Sequence, residues 1–467
     1  MLAAINSFVD ITNNLIWGYV LIGMLIAIGL YFTLKTKFVQ FVHMPHMIQL
    51  LGEGVSSNQE KGVSSFQAFC ISTASRVGTG NLAGVAIAIA SGGPGAIFWM
   101  WLIAMIGGAS SFVESTLAQV YKIKDQDSYR GGPAYYMEKA LNNKKMGILF
   151  SILITLAFGL IFNSVQANTI SLAFEGAFGI GRLYTGIALA IFTAFIIFGG
   201  IKRIANFSGI VVPVMAMAYI AISIFVVIKN ISMVPEVFSE IFSHAFGFKQ
   251  AVGGGLGAAI MTGVKRGLFS NEAGMGSAPN AAATAETSHP VKQGFIQTLG
   301  VFTDTIIICS CTAFMVLVSG AHKMEGLTGI QLTQTALSSQ VGNWGNVFIA
   351  ICILLFAFSS IIGNYYYGET NIEFLSTEKI WMNIYRISVV GMVMFGSVGE
   401  MALVWNMADL FMGLMAILNL VAILLLGKVA FEALNHYLEE KRQGKEPVFT
   451  KDSINLPYED RVDCWEA

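Results

Sequence analysis

The residues with the most chemistry to offer lie where long apolar runs are interrupted. Between Phe66-Gln67-Ala68-Phe69-Cys70-Ile71 and Leu82-Ala83-Gly84-Val85-Ala86-Ile87 stands Ser72-Thr73-Ala74-Ser75-Arg76-Val77-Gly78-Thr79-Gly80-Asn81. Gly78 and Gly80 weaken a helix, and Thr79 and Asn81 offer side chains to nearby polar groups. A helix that ends near Val77 exposes carbonyl oxygens and the negative end of its dipole, which suits a bare cation such as Na⁺. A helix that starts near Gly80 exposes N–H groups and the positive end, which suits a carboxylate. One break can therefore take Na⁺ on one side and an amino-acid carboxylate on the other. A plain glycine-rich packing helix would explain the glycines. It would not explain Arg76, Thr79 and Asn81 beside them.

A second break follows Gly253-Gly254-Gly255 and an apolar stretch, at Lys265-Arg266-Gly267-Leu268-Phe269-Ser270-Asn271-Glu272-Ala273-Gly274-Met275-Gly276-Ser277-Ala278-Pro279. Pro279 removes a backbone donor and disfavours helix at Ala278. Two further segments carry polar groups at mid-span. Asn163 and Gln166 share a helix face, with Asn168 beyond them. Gln166 fits either a substrate contact or interhelical bonding, and Asn168 fits the latter better. Ser359 and Ser360 could complete an oxygen shell around Na⁺, or bond back to their own helix. Asn364 lies one turn beyond Ser360 and could face the same cavity. Arg76, Glu114, Lys265, Arg266, Glu272, Asp304 and Asp409 also fall in apolar spans and are functional candidates on that ground. Arg76 and Glu272, one in each break, are expected to pair or gate. Glu114, near the inner edge of its span, is expected to be solvated. Tyr365, Tyr366 and Tyr367 are expected in an interfacial belt.

The elements that must position these groups are membrane helices. The 467-residue chain is 55% hydrophobic and only 12% charged, with mean hydropathy +0.66; soluble domains carry about 25% charged residues. Net charge is −1, which gives no bulk attraction to nucleic acid. The five cysteines have no metal-ligand spacing and read as small hydrophobes. No nucleophile–base set, Walker motif or zinc-protease motif is present, so the chain does not read as an enzyme. No cleavable signal peptide is seen.

Eleven spans are expected, near 16–34, 65–90, 95–121, 147–171, 183–201, 206–228, 251–285, 293–319, 344–367, 380–397 and 401–427. With an extracellular N-terminus (1–15), the inside segments carry 19 Lys and Arg and the outside segments 4. The tail 428–467 is then cytoplasmic. The segment 229–250 has the spacing of a short amphipathic surface helix. The breaks open spans 2 and 7, five spans apart. Residues 65–228 and 251–427 are therefore expected to form two five-helix repeats of inverted topology, with span 1 accessory. Such repeats place a binding site at the midplane.

The motifs Ser75–Asn81, Gly131-Gly132-Pro133-Ala134-Tyr135-Tyr136 and Lys265–Pro279 resemble the alanine or glycine:cation symporter family (sodium:alanine symporters), over nearly the whole chain. The resemblance implies an all-α polytopic membrane protein with the leucine-transporter fold of the amino acid–polyamine–organocation superfamily, in its eleven-helix form. It implies symport of a small neutral amino acid with Na⁺ as coupling ion and no cofactor, across the cell (inner) membrane. A proton-coupled carrier or exchanger on the same fold is the alternative. It further implies Na⁺ held by the carbonyls of Ala74, Val77 and Phe356 and the hydroxyls of Ser359 and Ser360. Gly78, Thr79, Gly80 and Asn81 would take the substrate carboxylate. Gln166 matches the family's substrate helix, with Asn163 beside it. Ser270, Asn271 and Gly274 would face the amine and side chain. Asn364 stands where many alanine-selective members carry Trp, which implies a larger pocket that admits serine or glutamine besides alanine and glycine.

Overall fold

The computed structural model describes residues 2–56, 63–125, 128–198, 200–247 and 254–465. Residues 251–253, with which the seventh expected span opens, and Lys249 of the preceding loop lie outside them. Nearly all the described chain is helical, apart from one small hairpin that pairs Ile123–Asp125 with Ser128–Arg130.

Among the described residues, eight helices are long and apolar enough to cross a membrane: Ser7–Lys35, Ala96–Val120, Lys144–Phe178, Asn206–Lys229, Pro290–Val318, Trp344–Leu375, Lys379–Val398 and Met401–Arg442. Gly80–Gly92 and Arg182–Ile197 are shorter apolar helices. The protein is thus a multi-pass membrane protein. Phe192, Phe195, Ile210, Met217 and Ile387 point outward, each more than half exposed, as lipid-facing side chains do.

Local chemistry sets where the helices around the site start and stop. Ser64 opens Ser65–Arg76 with a capping box: its hydroxyl accepts from Gln67 N at 3.1 Å, and Gln67 Oε1 accepts from Ser64 N at 3.0 Å. The helix stops at Arg76, because Val77 is extended (φ −81, ψ 91). Helical backbone resumes at Gly80 as a π-helical turn, Gly80–Gly84, and continues as Val85–Gly92. The later helix Gly254–Asn271 ends in a tight turn with left-handed Glu272 (φ 58), Gly274 (φ 82) and Gly276 (φ 87). Ala278–Ala282 follows, with Pro279 in its first turn, where its missing N–H is harmless.

Two more π-helical segments, Thr155–Phe162 and Phe302–Cys309, lie in the helices that flank these breaks. Such turns often mark functional sites. Val63, before the first interrupted segment, bridges in parallel to Ala285, after the second, and Glu286 N donates to Val63 O at 3.1 Å. The two segments are thereby tied at one end.

Ala96–Val120 packs along Gly254–Asn271 and Pro290–Val301. Close approach needs Gly263, where a Cβ would lie 2.7 Å from Trp99 Cβ. Between residues 229 and 250, Val234–Ala245 is a short helix that buries Val237, Ile241 and Ala245. Met401–Arg442 runs on into a tail that folds back: Phe449 N donates to Ser288 O at 2.9 Å, and the Trp465 indole to Gln119 O at 3.0 Å.

Two expectations fail here. Tyr365, Tyr366 and Tyr367 are buried, at 0, 6 and 0% exposure, because their helix packs among Asn163–Phe178, the Lys379–Val398 helix and others rather than at an interface. Glu114 is not solvated. It is completely buried, because the turn after Asn271 sits against it.

Candidate functional site

The two interruptions touch. A Cβ on Gly80 would lie 3.2 Å from Ser270 Cα, and Ser75 Oγ stands 2.7 Å from Glu272 Oε1. Arg76 and Glu272 do not pair. The guanidinium reaches Gln297 O at 3.2 Å and Ser111 Oγ at 3.5 Å, while the Glu272 carboxylate accepts from Ser75 and, at 2.6 Å, from Ser277. These bonds hold Glu272 in its left-handed backbone, which costs roughly 1–3 kcal/mol for a residue with a Cβ.

Ser360 gathers a set of carbonyl oxygens. Its Oγ is 2.8 Å from Ala74 O, 3.4 Å from Val77 O and 3.0 Å from Phe356 O. Ser359 Oγ donates to the same Phe356 carbonyl at 2.8 Å. Ala74 and Val77 come from the last turn of Ser65–Arg76 and its cap, where the helix has no further N–H groups to offer. The set is all oxygen and carries no formal charge. Hard monovalent and divalent cations prefer oxygen, and a weakly charged set suits the monovalent kind.

Beside this cluster, Gly78 has no room for a side chain. A Cβ there would run into Ser360 Oγ and lie 2.8 Å from Gln166 Oε1. Gln166 Oε1 accepts from Thr79 N at 2.9 Å, so the glutamine occupies a backbone donor of the break. Gly78 N is bonded by Asn81 Oδ1 at 2.9 Å. Asn81 therefore braces the break with its oxygen, and its amide nitrogen reaches Asp304 Oδ1 at 2.7 Å. Ser270 Oγ donates to the other oxygen, Asp304 Oδ2, at 2.7 Å. Ser75, Asp304 and Glu272 are thus as central as any residue singled out as a direct contact. The last two were legible as charges inside apolar spans; Ser75 carried no such signal.

Asn364 lies at the same junction, with Oδ1 2.7 Å from Ser75 Oγ and a buried Nδ2 that has no hydrogen-bond partner. Ser75 has one proton and two acceptors at equal distance. Turning the amide round lets Asn364 donate to Ser75 and Ser75 to Glu272. In either orientation one polar end of Asn364 is left unpaired. The Asn271 Nδ2 and Thr79 Oγ1 are likewise buried without a partner.

Two expected contacts, Asn163 and Gly274, sit elsewhere, whereas Asn168 makes the interhelical bonds expected of it. Asn163 Nδ2 bonds back to Gly159 O at 2.9 Å. Asn168 Nδ2 ties two helices through Gly396 O and Gly399 O, both at 2.8 Å. Gly274 faces away from the first break, and its N–H goes to Glu114 Oε1 at 3.0 Å.

An aromatic column rises from the junction. Phe162 stacks on Phe269 (centroids 4.5 Å), Phe269 meets Trp405 (4.7 Å), and the Arg266 guanidinium lies 4.6 Å from the Trp405 ring. Arg266 is clamped on Asp409, with one nitrogen 2.5 Å from each oxygen, and Lys265 Nζ is 3.4 Å from the same carboxylate. Buried aromatic pairs of this kind contribute about 0.5–1.5 kcal/mol beyond their area. Trp17 donates its indole N–H to Asp409 O at 3.1 Å, which anchors the first helix to this column.

The architecture is similar to that of MhsT in complex with L-phenylalanine (TM-score 0.55, 16% identity, covering 81% of this chain and 96% of that one), which shows the leucine-transporter fold. In sequence, the chain is 58% identical over 461 residues to the "Probable sodium/glutamine symporter GlnT" of Bacillus subtilis, covering 99% of this chain and 96% of the relative. It is 56% identical to the "Amino-acid carrier protein AlsT" of the same organism (99% and 98% covered). It is 40% identical to the "Sodium/alanine symporter AgcS" of Methanococcus maripaludis (91% and 95%). The model of the sodium:alanine symporter family matches residues 2–451, and with the interrupted helices, the oxygen cluster and these relatives, the chain belongs to that family.

Proposed function

We propose that this protein is a secondary active symporter that couples inward Na⁺ movement to uptake of a small neutral amino acid. The observation that carries the reading is the meeting of Ser360 with the carbonyls of Ala74, Val77 and Phe356 directly beside Gly78. Na⁺ binds among those oxygens and the Ser359 hydroxyl. It draws the first break onto the Trp344–Leu375 helix and so fixes the backbone of Gly78-Thr79-Gly80. The substrate carboxylate then takes the N–H groups there, displacing Gln166 Oε1 from Thr79 N. Ser270 and Asn271 face the amine. Binding of either solute prepares the site for the other, which is the reciprocity that coupling requires.

The substrate side chain points toward Asn364. Its unpaired amide end is a ready partner for a hydroxyl or a side-chain amide, so alanine and glycine fit and serine and glutamine are also taken. The name of the 58% identical relative supports glutamine. The Phe162–Phe269–Trp405 column and the Arg266–Asp409 pair close the outer path. We place the two inverted five-helix repeats at 65–228 and 251–427, the N-terminus outside, and the tail in the cytoplasm of a cell-membrane protein. The breaks lie at mid-depth.

Purified protein in proteoliposomes, given a panel of labelled amino acids, tests this. Uptake of alanine or glutamine is expected to stop when external Na⁺ is replaced by choline at fixed pH. Uptake that continues in choline and follows a proton gradient would reject Na⁺ coupling. Glutamine in large excess is expected to displace labelled alanine.

A further inference from the structure

The motif Gly131-Gly132-Pro133-Ala134-Tyr135-Tyr136 has no part in the site as built so far. Pro133–Lys139 is a short helix that packs at the end of the membrane helices. Its Tyr136 is completely buried, and its hydroxyl donates a short hydrogen bond to Asn419 Oδ1. Asn419 is buried midway along Met401–Arg442 and passes the contact on. Its Nδ2 donates to Glu114 Oε2 at 2.8 Å and to Gly274 O at 2.9 Å. Glu114 in turn accepts from Gly274 N at 3.0 Å and Gly276 N at 3.1 Å. Both oxygens of the carboxylate and the nitrogen of the amide are therefore used on one turn, residues 272–276, while the amide oxygen takes Tyr136. That turn has three left-handed residues, and within it the one backbone hydrogen bond among the described residues runs from Met275 N to Glu272 O at 3.2 Å. Pro133 closes the side, since a Cβ on Gly276 would lie 2.9 Å from its Cγ.

We propose that Tyr136 is a positioning residue for the second interruption. Acting through Asn419 and Glu114, it locks the turn 272–276 while the short helix Pro133–Lys139 is seated. When that helix swings away, the hydroxyl leaves Asn419, Glu114 loses its support, and the turn is free to open a path for the substrate bound at Ser270–Asn271. The lock stands on geometry alone. The release step rests on the transport reading.

Hydrogen–deuterium exchange on the full-length protein tests the lock without any transport. Tyr136→Phe keeps the ring and removes one donor. Exchange at the amides of 272–277 is expected to rise about two- to tenfold, the range one hydrogen bond spans. Helices that make no contact with the turn, such as Arg182–Ile197, should keep their rates. Asn419→Ala cuts the same chain one step on and should reproduce the effect, and adding Tyr136→Phe to it should change nothing more. Unchanged exchange at 272–277, a uniform rise over all helices, or additive effects in the double variant overturn the proposal. In proteoliposomes, Tyr136→Phe should change the maximal uptake rate at least threefold and leave the equilibrium affinity for alanine within about twofold. An affinity loss equal to the rate loss would place Tyr136 at the binding site and overturn the release step, whereas absence of any Na⁺-driven uptake in the unmodified protein would overturn the transport reading and leave the lock standing.

Discussion

Ser360→Ala is the sharpest perturbation of the proposed coupling. The hydroxyl stands within 3.4 Å of three carbonyl oxygens drawn from two segments. Without Na⁺ the single proton of Ser360 serves one of those oxygens at a time, Ala74 O being the nearest. With Na⁺ bound, Oγ turns its lone pairs to the ion. The alanine variant keeps the backbone ligands and loses one oxygen. Hydrogen bonds to charged groups contribute about 1.5–3 kcal/mol net, and we take a single neutral ligand to Na⁺ to lie in the same range. At about 1.4 kcal/mol per tenfold, the Na⁺ concentration for half-maximal uptake should rise roughly 10- to 150-fold. The assay is alanine uptake into proteoliposomes over a Na⁺ series balanced with choline at fixed pH. At saturating Na⁺ the substrate KM should stay within about twofold, since Ser360 touches carbonyls and not the N–H groups of the break. Ser359→Ala should shift the Na⁺ response in the same direction. A Ser360→Ala variant with an unchanged Na⁺ response would refute the assignment of Ala74, Val77 and Phe356 as the ion's ligands, because among the described residues Ser360 is the side chain that bonds all three.

Three further outcomes are expected. Gly78→Ala should abolish uptake with the protein still folded, because its methyl would run into Ser360 and approach Gln166 Oε1 to 2.8 Å; a variant that transports normally would show that the break is not so tightly closed. Asp409→Asn leaves Arg266 buried without its carboxylate, and breaking such a pair costs about 3–5 kcal/mol, so thermal stability in detergent should fall well below that of the unmodified protein. Lys122, just past the Ala96–Val120 helix, is buried between the Tyr129 and Trp465 rings, and burial lowers its pKa to about 7. Between about pH 7 and its ordinary value of 10.5, the undocked tail leaves Lys122 with a proton that the docked form lacks. Docking of the tail therefore strengthens as pH rises through that window. Tryptic cleavage at Lys451 and Arg461 should slow from pH 7 to pH 9 relative to a Lys122→Met variant; a constant ratio would count against this.

Much of the site could be read from the chain alone, because a helix break is a local event. The pair Gly78 and Gly80, and the crowding of Gly274, Gly276 and Pro279, weaken helical backbone wherever they stand, and the low charge content requires a bilayer around them. The oxygen-bearing residues Ser359 and Ser360 were visible as hydroxyls in an apolar span. Their partners were not. Ser360 meets Ala74 across 286 residues, and that contact depends on how two helices are rotated about their axes, which no local pattern states. The same holds for Asn163 and Gln166. They share a face in sequence, yet Asn163 bonds back to its own helix and only Gln166 reaches the break. Glu114 shows the limit best. Its position near a helix end suggested water, and only tertiary packing, by bringing Gly274, Gly276 and Asn419 onto its two oxygens, made a buried carboxylate tolerable there. Sequence determined where the backbone must break and in what solvent; the packing of distant helices decided which groups fill each break, since hydrogen bonds across hundreds of residues follow from helix rotation and close approach.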